Sequence, residues 1–299
     1  IMAKTAAVGC PAEEKGRRKK ESQFSQVLGR LRSNKMAMFG LAISLILIVL
    51  AIAAPLIMPY KYDQMDMANR FASPSLKHLC GTDEMGRDIF SRLLYGGRAS
   101  LLLGFTATII STFLGMLIGS VVGYFGGTVD TIVMRLIDIL QAIPGILLAI
   151  AISACLGSGL FNTVLALSIG GIPMTVRLLR GSIMGVRKME YIEAAQKINC
   201  SVPRTITKHI LPNSISPIIV SVTMGIGNTI LMAASLSYIG LGIQPPTPEW
   251  GAMLTAANQY MVDHPHMVVF PGIAIALIVL SLNLLGDGLR DALDPKLKK

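Results

Sequence analysis

Long uncharged apolar runs alternate along this chain with short polar islands, and the run lengths carry the first inference. A helix needs about 20 apolar residues to cross the hydrocarbon of a bilayer. Residues 36–60 and 99–129 are uncharged and long enough for one span each. The run 139–176 is too long for one helix, and Gly157-Ser158-Gly159 marks a turn in its middle. Runs at 214–241 and 267–286 complete the series. The pattern predicts an all-α membrane protein with six transmembrane helices at about 36–58, 99–125, 131–155, 160–180, 214–241 and 267–286. Residues 1–35 and 291–299 are tails, and the six-span body lies between them at 36–290.

Composition strengthens this picture. The chain is 52% hydrophobic and 15% charged, where a soluble domain carries about 25% charged residues. Its net charge of +10 is uneven, with nine Lys/Arg before residue 36. A basic tail just before a hydrophobic span fits the positive-inside rule better than nucleic-acid binding. The segment 177–208 and the C-terminal tail (Arg290, Lys296, Lys298, Lys299) are basic too, while 242–266 holds no Lys or Arg. Six spans with this bias put both termini in the cytoplasm of a cell-membrane protein. One segment resists. Residues 61–98 lie outside in this topology yet carry six Lys/Arg, beside Asp63, Asp66, Asp83, Glu84 and Asp88. The cysteines, Cys10, Cys80, Cys155 and Cys200, have neither metal-type spacing nor a disulfide framework.

Within 78–98, residues 81–95 read as a short amphipathic helix capped by Thr82 or Asp83. Its stripe of Ile89, Phe90, Leu93 and Leu94 suits a membrane surface. Gly115, Gly119 and Gly123 share one face of the second span and let another helix approach closely. Pro144-Gly145 predicts a kink in the third. Arg135 and Asp138 stand one turn apart near its inner end, where an ion pair outweighs a gating or substrate role. No span has a charge at its centre, which argues against a proton- or sodium-coupled relay.

The polar island at 187–212 has the punctuation of a helical hairpin. A helix over 190–198 ends at Asn199, which tolerates the left-handed conformation. Ser201 is a good N-cap for a second helix to about 210, with Pro203 in its first turn and Pro212 limiting it. Ala194 and Ala195 read as one small flat face, ringed by Arg187, Lys188, Lys197, Arg204 and Lys208. Such a face suits docking, where an ordinary basic loop would need no helix–turn–helix.

Glu190, Glu193-Ala194-Ala195 and His209-Ile210-Leu211-Pro212 resemble the EAA loop of ABC importer permeases, with Asn199 where that family has glycine. His78 to Asp88, Gly123 to Gly127, Met134 to Leu140, Ser237 to Gly242 and Trp250-Gly251 look like the C-type permease of dipeptide, oligopeptide and nickel importers. The resemblance covers about 30–295. It implies a type I permease fold and a homologous B-type permease as partner. It also implies two ATP-binding subunits docked on the hairpin and an extracellular substrate-binding protein. ATP and Mg would then bind the partner subunits, since this chain has no Gly-x-x-x-x-Gly-Lys-[Ser/Thr] phosphate loop. No catalytic, cofactor or metal residue is expected here. Peptide uptake is the leading reading, and a nickel or metal-chelate importer is the alternative. His264-Pro265-His266 reads as a solvated loop pair, short of the ligands a metal site needs. An intramembrane hydrolase built on Ser158 is a weak third reading, because no histidine lies in an apolar span to serve as base.

Overall fold

The structure is a computed structural model and describes residues 23–294. Its regular elements, among the described residues, are helices. In chain order come α1 (Gln23–Ser33), α2 (Lys35–Ile57), α3 (Ile89–Phe125), α4 (Gly127–Ala142), α5 (Gly145–Leu156) and α6 (Leu160–Val186). Then follow α7 (Glu190–Lys197), α8 (Val202–Arg204), a π-helical turn (Thr205–Ile210), α9 (Leu211–Ser214), α10 (Ser216–Tyr238), α11 (Trp250–Ala257) and α12 (His266–Leu293). Among the described residues α2, α3, α6, α10 and α12 are long and apolar enough to cross a membrane. The pair α4 and α5 meets the same measure only when taken together, with a bend of 84° between the two helices, and gives a sixth span if counted as one. The kink expected at Pro144 is therefore close to a right angle. Proline cannot donate to the preceding turn and drives Ile143 into an extended conformation, so the helix ends and restarts.

Close helix contacts are made where side chains are smallest. Gly115, Gly119 and Gly123 lie on the face of α3 that meets α6. A β-carbon on Gly115 would stand 2.6 Å from Thr175 Cβ, and one on Gly123 2.9 Å from Ile183 Cβ. Lipid is as apolar as any side chain, so close packing of this kind holds membrane helices together. A second core joins Leu103 and Ala107 of α3 to Ala149 of α5, Val164 and Leu167 of α6 and Leu236 of α10.

The segment before α3 differs from expectation. Residues 81–88 are not helical. Gly81 and Gly86 have φ of +78° and +71°, and Thr82 bridges Asp88. Asp88, not Thr82 or Asp83, caps the helix by accepting from Ser91 N. The helix runs on without interruption as the second span, 37 residues in all. Its apolar stripe faces protein: Ile89 and Leu94 are buried, and Phe90 and Leu93 pack on the core around Trp250 and Met267. A tertiary partner overrode the membrane-surface reading. That partner is the 242–266 segment, which carries α11. Trp250 Nε1 donates to Leu93 O, and Glu249 caps α11 while accepting from Ser100 Oγ of α3. His264 stacks on Phe71 and His266 Nε2 lies 3.4 Å from Thr82 O, so this loop pair is half-buried against the cap formed by the two segments and only partly solvated.

The same cap accounts for the charges of 61–98. Arg87 pairs with Asp83 at 2.6 Å and Glu84 at 2.8 Å, and Arg92 approaches Asp83 at 3.5 Å. Asp83, Arg87 and Arg92 are buried. Two of the six basic residues are thus neutralised inside the fold and exert little pull on topology.

Candidate coupling hairpin and pathway wall

Residues 190–214 fold as a helical hairpin. Glu190 and Glu193 occupy the first turn of α7 and Lys197 its last, which suits the helix dipole. The turn follows from Asn199, whose φ of +53° lets Cys200 N donate to Ala195 O. Ser201 stands at the N-cap of the return helix, but its side chain makes no capping bond. That helix does not stop at Ile210. A π-turn, with Leu211 N donating to Ile206 O, carries it through Leu211 and Pro212 to Ser214. A wider turn inside a helix frees the backbone position that proline cannot fill. His209 is half-buried, and its carbonyl accepts from Asn213 Nδ2.

The hairpin has two faces. Ile192 and Ile210, each fully buried, pack with Leu179, Ile183 and Val186 of α6 and Ile218 of α10. Leu211 adds to this cluster, and Ser182 Oγ donates to Ser214 O. The other face, with Tyr191, Glu193, Ala194 and Ile198, is open to solvent, and Ile198 is 80% exposed. Ala194 and Ala195 do not share a face. Successive helical residues point about 100° apart, so Ala195 joins the buried side and only Ala194 is presented. Arg187, Lys188, Lys197, Arg204 and Lys208 are all exposed around it.

Arg135 and Asp138 are not brought together as a pair. Asp138 accepts from Arg177 Nη2 of α6 at 2.6 Å. One turn further along α6 and eight residues earlier in α4, Asp130 takes two bonds from Arg180 at 2.5 Å. The cross-helix partners were missed because α6 extends to Val186, which places Arg177 and Arg180 inside a span instead of at its end. Two arginines three apart closing an apolar run were the available signal. Elsewhere, α5, α10, α11 and α12 border an apolar groove of about 750 Å³, with Ser235, Tyr238 and Asn283 as its polar lining. Outside the membrane-spanning segments, burial pushes the Cys80 thiol up to about 11, helped by Asp88. Burial and the neighbouring Asp83 also raise the Glu84 carboxyl.

These features define a class, the membrane-spanning half of a type I ABC importer. An inward-facing methionine ABC transporter, MetNI, matches with a TM-score of 0.56 at 16% identity, over 68% of this chain and 97% of that one, a likeness of fold. The chain belongs to the family described as binding-protein-dependent transport system inner membrane component, matched over residues 115–299. Residues 22–74 match the N-terminal transmembrane domain of oligopeptide transport permease C. The dipeptide transport system permease protein DppC of Alkalihalophilus pseudofirmus is 45% identical over 277 residues, 93% of this chain and 91% of that protein. The glutathione transport system permease protein GsiD of Escherichia coli O6:K15:H31 is 50% identical over 270 residues, 90% and 89% of the two chains. The protein is a C-type permease subunit of an ABC importer, a transport subunit and not an enzyme. It works in a membrane with an ATPase and a substrate-binding protein. The hydrolase reading is thereby set aside, and Ser158 belongs to the turn between α5 and α6.

Proposed function

We propose that this chain forms half of a pathway that takes up di- and oligopeptides, with a homologous B-type permease forming the other half and two ATP-binding subunits driving it. The 190–214 hairpin is the coupling element, and it lies on the cytoplasmic side with both termini. One observation carries the reading. The hairpin is welded to α6 and α10 through Ile192 and Ile210, while Glu193, Ala194 and Ile198 remain free for a partner. An ATPase that closes on ATP and grips the free face shifts the spans by a rigid contact, favouring the conformation that fits the closed dimer. ATP and Mg bind the ATPase subunits, and this chain supplies no cofactor site. Relatives named for dipeptide and glutathione favour a small peptide over nickel or a metal chelate.

Deleting residues 193–199 tests the coupling. ATP-driven uptake of a labelled dipeptide into proteoliposomes stops, while membrane insertion and co-purification of the second permease persist. Undiminished uptake by the deletion variant would sink the assignment.

A further inference from the structure

The two ion pairs between α4 and α6 are built differently. Arg180 grips Asp130 with both Nε and Nη2, and both side chains are mostly buried. This bidentate grip takes up one edge of the guanidinium, and the pair pins the helices. Arg177 reaches Asp138 through Nη2 alone, and each side chain is 45% exposed. Nε and Nη1 of Arg177 have no partner among the described residues. The exposed guanidinium of Arg135, one turn before Asp138, has none either.

These charges lie well inside their helices. At about 1.5 Å per residue, Arg177 lies roughly 14 Å into α6 from its hairpin end, and Asp138 about 16 Å into α4 from Gly127. Charged groups facing lipid cost about 2.5–3.5 kcal/mol each at mid-membrane and less toward the interface. The face therefore borders water or protein. The helix break is next to it: residues 141–145 are all exposed where α4 and α5 meet at 84°. Non-helical backbone at membrane depth persists only against protein or beside a water-filled cavity. Two guanidiniums and one carboxylate leave this patch with a net positive charge. An arginine with part of its fork free matches a carboxylate in geometry and sign.

We propose that Arg177 and Arg135 form a carboxylate-binding subsite in the wall of the translocation pathway, which takes the C-terminal carboxylate of a passing peptide. Asp138 is a positioning residue that holds Arg177 with its free edge outward. This assignment rests on the peptide-importer reading above.

The test uses the complete importer in proteoliposomes, with the binding protein saturated by trialanine or by trialanine amide. Wild type carries the free acid faster than the amide. Arg177→Gln lowers uptake of the acid about tenfold or more and that of the amide by no more than about threefold, the size expected when a charge-assisted bond is lost. Asp138→Asn, which keeps the side-chain shape, reduces the acid-to-amide ratio partway. An unchanged ratio in Arg177→Gln overturns the subsite. So does equal loss for both peptides, whether or not the second permease still co-purifies. Loss of that permease would reassign the patch as a subunit contact. If wild type carries neither peptide, the cargo reading itself fails, an outcome readable before any variant is made.

Discussion

The cap and the hairpin are both polar insertions between apolar helices, and they treat charge in opposite ways. The cap, residues 58–98 with 239–266, draws a cluster of charges inward: Asp83, Arg87, Asp88, Arg92 and Glu249 are all buried with partners. The hairpin turns Glu190, Glu193, Lys197, Arg204 and Lys208 outward and buries isoleucines. A buried charge must be matched by its own chain, and the match makes the region rigid. An exposed charge on a short helix stabilises little and stays available to another protein. The cap is thus a self-sufficient plug, and the hairpin is half of an interface.

The largest effects should come from forcing the hairpin to behave like the cap. Ala194→Arg puts bulk on the free face, so uptake and co-purification of the ATPase fall at least about tenfold with the melting temperature unchanged, as for a central interface position. Ala195→Arg drives the same group into the buried face and lowers the melting temperature as well. Equal thermal behaviour of the two variants would break the two-faced description.

Next in size is a cap lesion. Glu249→Ala strands Gly251 N, Ala252 N and Ser100 Oγ. Losing a cap and leaving buried donors unpaired costs about 3 kcal/mol. The apparent melting temperature in detergent drops by roughly 5–10 °C, read by differential scanning fluorimetry. A drop under about 2 °C would mean that the cap is not the rigid plug described.

The smallest effect is a pH dependence. The Glu84 carboxyl is raised above its ordinary value near 4.5 by burial and by Asp83. The folded state therefore holds the proton more tightly than the unfolded chain. The resulting stabilisation is complete below the ordinary value and is lost as pH rises through the raised one. Glu84→Gln has no such loss. Its melting temperature exceeds wild type by about 1–3 °C at neutral pH, and the advantage disappears below about pH 4.5. A difference independent of pH would contradict the burial of Glu84.

Run length and turn chemistry made much of the molecule legible. The apolar runs located the spans, and Gly157-Ser158-Gly159 separated α5 from α6 because both glycines adopt positive φ there. Asn199 marked the hairpin turn for the same local reason. Other features depend on residues far apart in the chain. Gly86 lies against Asp66, where a β-carbon would meet the backbone, so the turn before the Asp88 cap is set by a residue twenty positions away. Asp138 found Arg177 instead of Arg135 because α4 and α6 pack side by side. Nothing in the neighbourhood of Ala194 and Ala195 said which one would be buried. That depended on where Ile183 and Ile218 stand.

By itself, then, the sequence determined what each segment is: helix or turn, apolar or polar, long enough to cross a bilayer or too short. Those properties follow from backbone preference and solvent transfer, and both act over a few residues. The tertiary structure decided what each polar group faces. It buried Asp83, Arg87 and Arg92 in the cap, set the angle of the break at Pro144 and left one side of the hairpin bare. It also placed a half-paired arginine beside the helix break. Pairing and burial depend on which surfaces meet, and that is a property of the packed chain.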